Sequence, residues 1–200
     1  MKGSLIIVGF FVLGTICGVC HLLPFDIAET NISYYALCAL MFSVGLSVGN
    51  DPQTLKHFRS LNPRQVFLPI VTILGTLAGS AAVSLILTHR SITDCLAVGS
   101  GFGYYSLSSI FITEYKGAEL GTIALLANIS REILTLLAAP LLVRWFGNLA
   151  PISAGGATTM DTTLPIITRT AGQQFVVVSI FHGFVVDFSV PFLVTLFCSI

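Results

Sequence analysis

The stretch Asn128-Ile-Ser-Arg131-Glu132-Ile-Leu-Thr-Leu-Leu137 sets an arginine beside a glutamate inside the longest helix-like apolar run of the chain. An ionisable side chain at bilayer depth costs about 2.5–3.5 kcal/mol even on the mildest insertion scales, so such a pair marks an ion or substrate pathway by default. Composition makes bilayer depth the relevant environment. Of 200 residues, 54% are hydrophobic and only 9% charged, and mean hydropathy is +0.92, whereas ordinary soluble domains carry about 25% charged residues. The sequence predicts an all-α, polytopic transmembrane helical bundle, a single membrane domain over residues 1–200.

Moving outward, uncharged runs at 3–20, 30–50, 65–88, 95–113 and 188–200 approach the roughly 20 residues of helix that span a hydrocarbon core, and shorter runs must join or re-enter. Helices are expected at about 5–23, 33–49 and 65–88. The first run superficially resembles a signal peptide, but its length and the lack of an Ala-x-Ala-type site favour a retained membrane helix. The connection from Asp51 to Arg64 carries Lys56, His57, Arg59 and Arg64 with Pro52 and Pro63 as breakers, and the positive-inside tendency places it in the cytoplasm. Net charge is zero and the nine basic residues form no long cluster, which argues against nucleic acid as a partner. Cys17 and Cys20 form a C-x-x-C, but no second pair stands at zinc spacing, so no metal and no cofactor is expected.

Two stretches break the apolar pattern. Ser91-Ile-Thr-Asp94 has capping-box form, so a helix should start near Asp94. It soon meets Gly99-Ser-Gly101-Phe-Gly103-Tyr104-Tyr105-Ser106, where each helical glycine costs about 1 kcal/mol relative to alanine. That implies either a broken helix or tight packing through small residues; the glycine spacing does not match a dinucleotide site. The second stretch, Pro151 to Arg169, holds Gly155, Gly156, Thr158, Thr159, Asp161, Thr162 and Thr163 between prolines. It reads either as an extramembrane loop or as a discontinuous helix whose freed backbone groups face a protein-lined cavity.

Between them, a helix at about 119–144 puts Asn128 and Glu132 on one face and Arg131 slightly aside. Pairing of these charges merely to fix helix packing is the competing reading. The last helix, about 172–199, includes His182 and Asp187, five residues apart and on different faces, and a satisfied core histidine is the simpler account. No Gly-x-Ser-x-Gly elbow or other hydrolase signature is present, so an enzyme is not expected.

The order Ser100-Gly-Phe-Gly-Tyr-Tyr-Ser-Leu-Ser-Ser109, Asn128-Ile-Ser-Arg-Glu-Ile133, Gly155-Gly-Ala-Thr-Thr-Met-Asp-Thr-Thr-Leu-Pro165 and His182-Gly-Phe184 resembles the bacterial lysine exporter family along essentially the whole chain. The resemblance implies export of L-lysine across the bacterial inner membrane in exchange for protons by a multi-pass protein. It covers the C-terminal part of the family pattern, whose N-terminal portion carries another acidic position. A homodimer, or a complex with a short N-terminal-type membrane subunit, is therefore implied. Whether Asp51 replaces the missing acid stays open. The carry-over is firmest for Glu132, an intramembrane acid expected to be required for transport.

The expected substrate- and proton-binding set is Glu132, Asp161, Asn128, Arg131, Tyr104, Tyr105, Ser106 and Thr159. Lysine needs donors for its carboxylate and anions or aromatic faces for its ammonium groups. Glu132 and Asp161 would hold an ammonium or a proton in turn, with Tyr104 and Tyr105 as a cation–π wall. Arg131 either favours ionised Glu132 or holds the substrate carboxylate. A scaffold or assembly subunit of a two-chain complex, which transports nothing, is the alternative function.

Overall fold

The computed structural model describes Leu13, Ile16, Cys17, Tyr35, 63–87 and 89–200. The expected helices at 5–23 and 33–49, Asp51 with the basic connection that follows it, and Cys20 lie largely or wholly outside the described residues. The chain divides into two compact units, Met1–Pro52 and Gln53–Ile200. In the first, Leu13, Ile16, Cys17 and Tyr35 are helical. Everything below concerns the second, in which every regular element among the described residues is a helix.

A helical turn Pro63–Val66 leads into α1, Leu68–Ser84, with Pro69 in the first turn, where a missing N–H costs nothing. Pro63 thus opens a helical turn. α1 ends four residues before the expected position 88, because Leu85 and Ile86 bond back three residues to Ala82 and Val83 and close the helix with a tighter turn. The expected helix start forms: α2, Ile92–Gly99, has Ser91 as N-cap, its hydroxyl accepting the Asp94 N–H at 3.0 Å, the N-cap half of a capping box. After the glycine-rich break the chain resumes as α3, Tyr105–Lys116, and Gly117 alone joins this to α4, Ala118–Phe146.

The Pro151–Arg169 stretch is folded into helical turns and is no open loop. It forms α5, Ala150–Gly155, then a 3-10 turn, Gly156–Met160, and then α6, Leu164–Ala171. Gly155 to Thr159 are all buried within the protein, as freed backbone groups require in a lipid setting. A short 3-10 turn, Gln173–Phe175, opens α7, Val176–Ser199.

Two of these helices, Ala118–Phe146 and the continuous Gln173–Ser199, are long and apolar enough to cross a membrane. Many of their large apolar residues point outward, with Leu126, Leu134, Leu137, Phe188 and Phe192 more than half exposed, while α7 turns Val178, Val186, Val190 and Val194 inward. A buried stripe of small and polar residues runs inward along α4 through Ala124, Asn128, Thr135 and Ala139. That inside-out distribution belongs to a membrane protein. Lipid gives apolar side chains no reason to hide, so helices associate by close packing of small residues and by hydrogen bonds. Gly121 accordingly lies against Thr113 and the Ser109 carbonyl within the α3–α4 hairpin, and Gly183 brings α7 against Thr159 and Met160.

Candidate functional site

Two interrupted segments, α2–α3 and α5–α6, meet at their breaks. The Ala157 N–H donates to the Phe102 carbonyl at 2.9 Å. A side chain on Gly156, which has φ +65°, would collide with that same carbonyl, and one on Gly103 would press on the Gly155 carbonyl at 3.1 Å. Phe102 is fully buried at φ 46°, a left-handed conformation that strains any residue with a Cβ. Surrounding contacts must hold it there.

α4 supplies those contacts. Asn128, 3% exposed, accepts the Gly103 N–H on Oδ1 at 2.8 Å, while its amide donates to the carbonyls of Ala124 at 2.9 Å and Val98 at 3.3 Å. One turn on, the Arg131 guanidinium donates from Nε to the Ala154 carbonyl at 2.8 Å, from Nη2 to Ser153 at 3.0 Å and from Nη1 to the Thr76 hydroxyl at 3.4 Å, with its carbon 5.9 Å from the Phe102 ring centre. The fork therefore satisfies carbonyls at the end of α5 that no helical N–H reaches. Among the described residues the ion pairs are Arg90–Glu119 and Lys116–Asp94; Arg131 and Glu132 are not paired with each other.

His182 is the satisfied core histidine anticipated above. Fully buried, it joins Thr159 Oγ1 through Nδ1 at 3.2 Å and Thr72 Oγ1 through Nε2 at 2.9 Å, and Thr72 continues to the Ser153 hydroxyl at 3.1 Å. Thr159 also bonds the Ser179 carbonyl at 2.9 Å, tying the 3-10 turn to α7.

Beside the crossing opens a cavity of about 250 Å³, lined by Gly103–Ser106, Glu132, Ala157, Thr158, Met160–Thr162 and Asp187. Five of the eight sequence-predicted residues converge here: Glu132, Asp161, Tyr104, Tyr105 and Ser106. Asn128, Arg131 and Thr159 do not line it, and their polar atoms are bonded to the frame. Asn128 and Arg131 instead border a larger, mainly apolar cavity of about 740 Å³ between α1, α2 and α4. Among the described residues, no lysine, arginine or histidine lines the smaller cavity. The first-turn N–H groups of Ser106 and Leu107, at the start of α3, have no backbone acceptor among the described residues, leaving a positive helix end beside it. Asp161 is exposed and receives the Thr162 N–H on one oxygen.

Sequence reasoning missed Asp187 as a member of this cluster. The signal was available, since an acid inside an apolar run is the same cue that singled out Glu132. Asp187 was judged instead by its spacing from His182, which faces elsewhere. Among the described residues no group of three metal-ligating side chains is placed to hold an ion.

The sequence pattern of the family described as "Lysine exporter LysO" matches residues 8–198. The chain is 37% identical over 196 residues, 98% of its own length, to an Escherichia coli (strain K12) protein named "Lysine exporter LysO", and it spans 64% of that relative's length. It is 35% identical, again over 98% of its length and 96% of the relative's, to a Haemophilus influenzae protein named "Putative lysine exporter". No solved structure matches.

Proposed function

This chain belongs to the lysine exporter LysO family, and from that premise we propose that it is a bacterial inner-membrane secondary transporter exporting L-lysine in exchange for protons, with the acidic cavity as its binding site. One observation carries the reading. Glu132, Asp161 and Asp187 surround a small cavity at the breaks of two interrupted helices, with no basic side chain among the described residues to neutralise them. Discontinuous helices framing a charged site are how transporters bind ions and zwitterions within a bilayer.

The chemistry follows from charge. A carboxylate in a low-dielectric wall is tolerated when something neutralises it, and here only a mobile species does so: a proton or a substrate ammonium. The same groups cannot hold both, so departure of one admits the other. The α-carboxylate of lysine fits the free N–H groups at the start of α3, and the aromatic faces of Tyr104 and Tyr105 suit a neighbouring ammonium. Arg131, bonded to the Ser153 and Ala154 carbonyls, holds the crossing. The assembly is a homodimer or includes a short membrane subunit, which copurification from native membranes would reveal.

The test is counterflow and pH-gradient-driven uptake of labelled lysine in proteoliposomes. A proton gradient should accelerate lysine flux through the wild-type protein, and Glu132→Gln or Asp161→Asn should lower coupled flux at least tenfold while leaving the folded fraction intact. Coupled flux unchanged in both variants would remove the cavity from transport. Absence of any lysine flux in the wild type would instead leave the scaffold-subunit reading standing.

A further inference from the structure

Asp187 sits midway along α7, 9% exposed, with its carboxylate on the cavity. The other polar side chains of its helix stretch are committed to the frame: Ser179 donates to the Thr159 carbonyl at 3.0 Å, His182 joins two threonines, and Ser189 donates to Val186 at 2.6 Å. Among the described residues Asp187 makes no hydrogen bond and no ion pair, and no buried polar atom is left sealed without a partner, so its oxygens open to the cavity. A nine-tenths-buried carboxylate without a protein partner costs several kcal/mol unless a ligand supplies one.

The groups facing it are Tyr104 at the break, Glu132 on α4 and Asp161 on the turn before α6. The acids differ in depth. Asp161 is exposed and already spends one oxygen on Thr162, Glu132 is half-buried, and Asp187 is buried. The helix end with free N–H groups, at Ser106, and the Asp161 carboxylate line the same cavity, so the carboxylate and ammonium of an amino acid would each find a partner in it. A side chain entering this cavity would meet in Asp187 the most buried of its three carboxylates.

We propose that Asp187 receives the ammonium at the far end of the substrate side chain and so selects dibasic over neutral amino acids of the same length. This rests on the reading of the cavity as the substrate site. A neutral side chain would bury the carboxylate unpaired, and sites built to bind a polar group reject analogues lacking it by up to about 10⁴-fold or more.

The experiment measures binding of labelled lysine and labelled norleucine, which ends in a methyl group, to the purified full chain. Wild type should prefer lysine. Asp187→Asn should reduce that preference at least tenfold while norleucine binds as well as before or better, and Asp187→Glu should restore part of it. An unchanged preference in Asp187→Asn, or equal loss of both ligands, would overturn the assignment. Wild-type protein that binds no lysine would sink the substrate site itself, a result read before any variant is made.

Discussion

The Phe102 carbonyl receives the Ala157 N–H at 2.9 Å, so the break in one interrupted segment is closed by the break in the other. Neither interruption is self-sufficient. Each leaves backbone groups unsatisfied, and each supplies what the other lacks.

Gly156→Ala tests that dependence. Its backbone, at φ 65° and ψ −126°, lies in a region open essentially to glycine and would cost an L-residue roughly 1–3 kcal/mol, before the collision of the new methyl with the Phe102 carbonyl is counted. The melting temperature in detergent should fall clearly. Gly79→Ala, on α1 with nothing within 4 Å of the added methyl, should be neutral or slightly stabilising. Equal melting of the two variants would contradict the close crossing.

Asn128→Ala should strand the Gly103 N–H, at about 1–3 kcal/mol for a buried group left without a partner, whereas the Val98 carbonyl keeps the Gly101 N–H at 3.3 Å. Hydrogen exchange at Gly103 ought to rise well above its wild-type rate. Protection that survives the substitution would mean that another acceptor serves the amide.

Arg131 has two readings with different signatures. If it holds the α5 carbonyls, Arg131→Lys should lower stability, since an ammonium lacks the fork that reaches Ser153, Ala154 and Thr76 together. The folded remainder should still bind lysine with wild-type affinity. Weaker lysine binding at undiminished stability would make Arg131 a substrate ligand instead.

His182→Leu should destabilise the protein by cutting the bridge between Thr72 and Thr159; their hydroxyls keep the Ser153 hydroxyl and the Ser179 carbonyl, so the loss is that of two hydrogen bonds, about 0.5–1.5 kcal/mol each. Thermal unfolding is the readout, and unaltered stability would show that the imidazole bridge adds nothing to the packing.

Local signals were readable from the chain itself. Ser91 and Asp94 announced a helix start because a cap is made between residues three apart, and Gly99, Gly101 and Gly103 announced a break because glycine weakens a helix wherever it stands. Glu132 stands out as an acid in an apolar run, Asp161 as an acid in an irregular stretch and Tyr104 as an aromatic beside a glycine break, and the three line one cavity. What joins the pieces was not legible. Arg131 reaches carbonyls more than twenty positions away, and a backbone carbonyl carries no residue-type signature. The Pro151–Arg169 stretch stayed ambiguous for the same reason, since its burial depends on Phe102 and α7. The early end of α1 at Ser84 is set by backbone bonds that composition does not report.

Arg131 and Glu132 are consecutive on a regular helix, so their side chains diverge by about 100°. The guanidinium serves the frame and the carboxylate serves the cavity. The distance from the Gly117 joint to this pair is therefore a measured spacer: one residue inserted or deleted between them would turn the helix by a like angle, bring the wrong charge to one station and leave the other with none. Natural length variation in this protein should fall in its loops and spare those fourteen steps of α4, counted from Gly117 to Arg131.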